Sequence, residues 1–159
     1  ELIKAVCSSD ELSQKRVLNI VDLKNRIKSI VNFKEKQNFV EIQKVITRVS
    51  KLANNSNLSL DVLSTRDYVN TKLFEKDCEL KVFEFIKELE KLSSVGYCNY
   101  LEILNLFEIN INTIEDLFDN EKGVLIMSED LKIRSNRLNL LSLIRNYSLK
   151  IADFTLLNS

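Results

Sequence analysis

Apolar side chains recur along this chain at intervals of three and four residues, the spacing that places them on one face of an α-helix. Ile20, Leu23, Ile27, Ile30 and Val31 make one such stripe, and Phe39, Ile42, Val45, Ile46, Val49 and Leu52 a second. Leu80, Phe83, Ile86, Leu89 and Leu92 form a third, in a run of strong helix formers. Tyr100, Leu101, Leu104 and Phe107 make a shorter fourth, and Leu140, Leu141, Ile144, Tyr147 and Ile151 the last. Each predicts a helix that packs its apolar face on its neighbours.

Polar punctuation sets the expected boundaries. Asn54 to Asn57 should end the helix of the second stripe, and Ser93 to Gly96 should form a turn between helices. Residues 58 to 74 lack a clean period, which predicts a long connection with one short helix. Asn112, with Glu115 three residues on, has the pattern of a helix start. Asp130 has the place of an N-cap for the helix that carries Arg134 and Arg137. Val124 to Met127 is apolar but too short for a helix, so it should be strand-like or an extended buried linker. No internal repeat is visible.

Composition sharpens the fold class. The 159 residues include no proline and only two glycines, whereas sheet-rich folds draw heavily on both for tight turns. An all-α helical bundle, one domain over residues 1–159, is the expectation, and this length can bury a single sizeable core. Three widely spaced cysteines, Cys7, Cys78 and Cys98, argue against a disulfide framework and for a reducing compartment, the cytoplasm or a plastid stroma. No apolar run approaches the roughly 20 residues of a membrane span. The chain begins at Glu1 without methionine, as expected of a piece of something longer.

Chemistry is excluded more readily than assigned. There is no histidine, so a Ser-His-Asp triad, a Cys-His pair and the usual zinc sets cannot be built within the chain. CxxC, GxxxxGK[ST] and GxGxxG are all absent. No matched pair of carboxylates stands out, so neither a catalytic site nor a metal or cofactor site is expected here.

The net charge is zero, yet the signs are segregated. From Lys15 to Lys51 ten basic residues face three acids, from Asn57 to Asp130 seven face sixteen, and from Leu131 onward five face one. One reading is solvated helix faces of no further meaning. The other brings the basic early helices beside the basic last helix to form an RNA-facing surface, with the acidic middle section on the far side.

Residues 117 to 141 read LFDNEKGVLIMSEDLKIRSNRLNLL and residues 149 to 157 read LKIADFTLL. This resembles the closing signature of the bacterial glycyl-tRNA synthetase beta-subunit family, with Phe118, Asp119, Asp130, Arg134, Asn136, Arg137, Leu138, Ala152 and Asp153 on its positions. ELIKAVCS, LKNRIKSIVNF and FVEIQKVITRVSKLANN resemble the same family more loosely. The chain departs at Thr47 and Ser50, where the family's pattern has lysine and asparagine, and at Asn120, Glu121 and Lys122, which look like an insertion.

The resemblance implies a helical anticodon-binding domain of the kind shared with arginyl- and cysteinyl-tRNA synthetases. Its partners would be the anticodon loop of glycine tRNA, the catalytic alpha subunit or region, and the remainder of the beta chain; neither DNA nor a membrane is implied. Activation of glycine with ATP and Mg²⁺ would belong to the alpha part, leaving no cofactor in this domain. The expected RNA contacts are Lys44, Arg48 and Lys51, which share a helix face by spacings of four and three, together with Arg134 and Arg137. Arg137 has an equal alternative as a salt-bridge strut near Asp130 or Asp119. Tyr97 and Tyr100 are candidates for base stacking, although the spacing of Tyr100 also suits the core. Asn136 suits a hydrogen bond near the helix start, and Asp119 and Asp153 suit caps or ion pairs. A helical module that binds another polypeptide, or that docks onto the rest of the synthetase without touching RNA, is the alternative function.

Overall fold

A computed structural model describes residues 1–12, 19–94 and 99–157. Seven α-helices occupy them: α1 (Leu2–Leu12), α2 (Ile20–Lys34), α3 (Phe39–Ala53), α4 (Asp77–Ser94), α5 (Tyr100–Ile109), α6 (Ile111–Asp116) and α7 (Leu131–Leu149). Single 3-10 turns at Thr71–Leu73 and Phe154–Leu156 complete the order, and no strand occurs among the described residues. The all-α expectation holds, with one short helical turn inside the long connection.

The centre of the structure is α7. Its pairing with α3 is the most extensive helix contact, and α4 covers another side. The two central helices are antiparallel: Arg145 of α7 donates to the Ala53 carbonyl at the end of α3, while Gln43 near its start reaches the carbonyls of Phe154 and Leu157 beyond α7. Ile42, Ile46 and Val49 of α3 and Leu141, Leu143 and Ile144 of α7 are fully buried in one continuous core. Each such side chain contributes about 1.5–3 kcal/mol relative to leaving it in water. Edge-to-face ring pairs fix two corners, Phe33 with Phe39 at 6.1 Å and Phe85 with Phe107 at 5.4 Å between centroids.

A helix surrounded on most sides must satisfy its polar residues internally. Ser142 and Ser148 donate back to the helix's own Leu138 and Arg145 carbonyls, both at 2.8 Å. The longer polar side chains of α7 turn outward and hold the connection between α3 and α4. Asn146 donates to the Ser59 and Val62 carbonyls at 2.9 and 2.7 Å, and the Tyr147 hydroxyl donates to that of Leu63. Burial pushes the Tyr147 phenol far above its ordinary range. Asn136 grips the Asn70 backbone twice, accepting from its N–H at 2.7 Å and donating to its carbonyl at 3.1 Å. A segment without hydrophobic periodicity is thereby held to the core by α7, with α4 adding Glu90, which accepts from the Thr65 N–H.

Some boundaries differ from the sequence expectation. Helix α1 belongs to no long stripe; it is fixed by the burial of Ala5 and Val6 and by the Asp153 N–H donating to the Ala5 carbonyl at 2.9 Å. Asn112 lies within α6 and caps nothing, because α6 begins at Ile111 so that Ile111 and Ile114 reach the core three residues apart. Ile20 and Val31 are exposed, since α2 buries Arg26, Ile30 and Phe33 at spacings of four and three. Leu80 is likewise exposed: it lies about 200° around α4 from the buried Val82. The Val124–Met127 run is an irregular linker with Ile126 buried and Leu125 and Met127 exposed. The turn predicted at Ser93–Gly96 runs into residues outside the described ones, as do Tyr97 and Cys98.

Candidate nucleic-acid interface

The second stripe buries one side of α3 and leaves Lys44, Arg48 and Lys51 exposed on the other. Spacings of four and three residues align them over about 10 Å of helix. Together with Gln43, Thr47 and Thr155 they line an open cleft of about 620 Å³. The Arg48 guanidinium carbon lies 4.2 Å from the centroid of the half-buried Phe118 ring, which follows α6. This cation–π contact, of the kind contributing about 0.5–1 kcal/mol at exposed sites, orients the guanidinium without neutralising it.

Carboxylates neutralise some of the other cations, though not Lys24, Lys28, Lys34, Lys72 or Lys132 among the described residues. Arg26 pairs with Asp22, Lys36 with Glu108, Lys81 with Asp77 and Lys87 with Glu90. Among the described residues, Lys44, Arg48, Lys51 and Arg134 have no carboxylate partner. Asp153 shares a smaller cleft with Lys51, but its Oδ1 already accepts from the Thr155 N–H and hydroxyl at 3.0 and 2.6 Å, capping the final 3-10 turn. Asp119 is similarly occupied by the Glu121 and Lys122 N–H groups, both at 2.8 Å, and these donors hold its carboxyl below the usual range.

Arg134 lies in the first turns of α7, half-buried, in a cleft of about 410 Å³ that it shares with Asn55, Ser56 and Asn57. Asn55 follows Lys51 by four residues, and its N–H still bonds the Leu52 carbonyl, so it prolongs the α3 line by one turn. The basic edge of α3 therefore leads into the cleft that holds Arg134.

Arg137 departs from the expectation that it meets RNA. It is 3% exposed: Nε donates to Glu79 at 2.9 Å, Nη2 to Glu75, and Nη1 to the Leu125 carbonyl at 2.9 Å. Burial opposes the charge, but the Glu79 and Glu75 carboxylates outweigh it and raise the guanidinium pKa. Glu79 is 0% exposed and also accepts from the Glu75 and Lys76 N–H groups at 2.7 and 3.1 Å, so it caps α4 from within. Arg137 is a strut joining α4, α7 and the 124–127 linker, and its partners are neither Asp130 nor Asp119. Tyr100 is also structural: half-buried against the core, its hydroxyl donates to Asp22. Asp130 does cap α7, accepting from Lys132 and Ile133 at 2.8 and 3.1 Å.

This chain is similar to curated beta subunits of glycine–tRNA ligase. The relative from Picosynechococcus is 30% identical over 157 residues, covering 97% of this chain and 22% of its own length. This chain is homologous to one segment of the glycine–tRNA ligase beta subunit. It spans about a fifth of the length of the curated relatives it matches. The Gloeothece citriformis beta subunit is 28% identical over 158 residues, and that of Persephonella marina 33% over 132 residues, or 82% of this chain. No family model matches the sequence.

Seen on the structure, the Arg-Ser-Asn-Arg-Leu run that carries the beta-subunit resemblance is mostly scaffold. Asn136, Arg137 and Leu138 face inward, and Arg134 alone of the two arginines borders an open cleft. Phe118 as the platform for Arg48, and Gln43 and Thr155 as cleft walls, went unnoticed in the sequence, because each is brought in from a distant segment or looks like ordinary core. No described helix is long and apolar enough to cross a membrane.

Proposed function

We propose that this chain binds glycine tRNA for its synthetase, gripping the backbone of the anticodon loop along the exposed face of α3. The observation that carries the reading is that Lys44, Arg48 and Lys51 line one open cleft and Arg134 another, all four without carboxylate partners among the described residues. Phosphate contacts of this kind supply affinity and orientation. Glycine anticodons share two cytosines, whose pairing edge offers one amino donor and two acceptors. Exposed amides and hydroxyls at the clefts, such as Asn57 and Thr155, have the complementary chemistry. Activation of glycine with ATP and Mg²⁺ is assigned to the alpha subunit or region.

Reversing Arg48 and Lys51 to glutamate tests this. Both side chains are exposed, so the circular-dichroism melt should stay nearly unchanged while affinity for glycine tRNA falls at least tenfold at moderate salt. Undiminished binding by a folded variant would refute the placement.

A second role, docking on the remainder of the synthetase, is favoured by Ile109 and Leu125, which are 76% and 68% exposed. Leu125→Ser should then weaken co-purification with the other synthetase parts, which the α3 reversal should leave intact.

A further inference from the structure

A second groove lies beside the first. Two clefts of about 590 and 410 Å³ share Tyr68, Leu131, Ser135 and Asn139 as walls. Tyr68 is 43% exposed, and every other described aromatic residue is buried or half-buried. We propose that the Tyr68 ring is a stacking platform for an unpaired nucleobase of the bound RNA, with Arg134 on one side and Lys72 and Lys132 on the other taking the flanking phosphates. This inference rests on the tRNA-binding reading and adds to it a base-binding subsite.

The backbone under Tyr68 is held at every step. Its carbonyl accepts from Asn139 Nδ2 at 2.7 Å, and the Tyr68 and Val69 N–H groups both donate to the Thr65 carbonyl at 3.2 and 3.0 Å. Asn70 is clamped by Asn136, and Asp67 adopts the left-handed conformation with φ 67°. Aspartate is among the few non-glycine residues that enter that region readily, so Asp67 turns the chain just before Tyr68. Asn139 also receives the Ser56 hydroxyl at 3.2 Å, so one amide ties together both walls of the cleft that contains Arg134. The ring is thus displayed from a fixed backbone, and little further ordering is needed when a base lands on it.

Charge selects the occupant. Lys72, Lys132 and Arg134 line the groove against a single carboxylate, Asp67. An exposed aromatic ring among unpaired cations and amides is the combination that single-stranded RNA uses, bases stacking while lysine and arginine follow the backbone. Position agrees as well: Lys44, Arg48 and Lys51 line about 10 Å of α3, and Asn55, in the turn just past its end, lies in the same cleft as Arg134. A strand gripped by α3 would run onward to Tyr68. Stacking tolerates any base, so this subsite adds affinity and register, with identity read by the amides around it.

The test titrates glycine tRNA, and an anticodon-loop form carrying a fluorescent base analogue, into the intact protein that contains this chain. Tyr68→Ala should weaken binding about 5- to 150-fold, the range of losing one base stack, and should abolish the quenching of the analogue. Tyr68→Trp should preserve both, a rescue that a merely structural side chain would not give. Unchanged affinity and quenching in Tyr68→Ala, with the wild type binding normally, would overturn the subsite and leave the α3 reading standing. Failure of the wild type to bind tRNA would overturn both. Loss of assembly with the rest of the synthetase at unchanged RNA affinity would make the groove a protein contact and overturn the subsite.

Discussion

Replacing Arg137 by methionine keeps much of the side chain's length and apolar volume while removing the charge and all its donors. In the native protein that guanidinium reaches Glu79, Glu75 and the Leu125 carbonyl. Glu75 is largely solvated, so losing its partner matters little, but Glu79 is wholly buried. Breaking a buried pair by deleting one member typically costs 3–5 kcal/mol, since the other charge is left uncompensated. Glu79 keeps the two N–H groups at the start of α4, which places the loss near the lower end, about 3 kcal/mol. At roughly 2–4 °C per kcal/mol for a domain of this size, the melting temperature should fall by about 6–12 °C. Pairing the change with Glu79→Gln should recover part of that loss. Arg134→Met, made in the same helix, should shift the melt by less than about 2 °C and act on tRNA affinity instead. Melting followed by circular dichroism decides the matter. An Arg137→Met protein that melts with the wild type, or that remains folded and loses tRNA specifically, would refute the assignment of Arg137 to the scaffold.

Other consequences are direct. A Cβ on Gly123 would stand 2.4 Å from the Asp119 carbonyl oxygen and 2.6 Å from that of Leu117, so Gly123→Ala should destabilise by about 1–3 kcal/mol in urea unfolding. Asn146→Ala removes the donors that hold the Ser59 and Val62 carbonyls, and faster hydrogen exchange should appear through residues 58–63 before the core is affected. The Asp130 carboxyl is held below its ordinary pKa by the Ile133 and Lys132 N–H groups, so its capping is fully present above the unfolded value and is lost as pH falls through the folded one. Asp130→Asn caps without titrating, so the stability gap between wild type and variant should be flat near neutrality and shrink in acid; a gap that widens in acid would contradict this.

How far the sequence reveals this molecule depends on the range of the interaction. The stripe from Phe39 to Leu52 was legible because its partners lie on the same helix face three and four residues apart, and its six residues face the core as expected. The Asp130 cap was legible for the same reason, its donors being two and three residues away. For Arg137 a strut was one of two equal readings, but its partners were not legible, because Glu75 and Glu79 are about sixty residues distant and no local spacing ties them to it. Helix α7 reads as ordinarily amphipathic, yet Arg145, Asn146 and Ser148 are buried, because the connection from Asn54 to Lys76 folds over its polar face and offers carbonyls there. Tyr68 gave no signal for a related reason: it lies in that aperiodic connection, and its display depends on Asn136 and Asn139. The three α3 cations were recognisable from spacing and local charge. Their lack of carboxylate partners is a tertiary property.

The salt dependence of tRNA binding tests most directly whether α3 grips an RNA backbone. Each phosphate contact on a single strand adds about 0.7 to the slope of log affinity against log salt. Replacing Lys44, Arg48 and Lys51 together by alanine should flatten that slope by about two units and weaken binding most at low salt, with the melt little changed. A folded triple variant whose slope and affinity match the wild type would contradict the account.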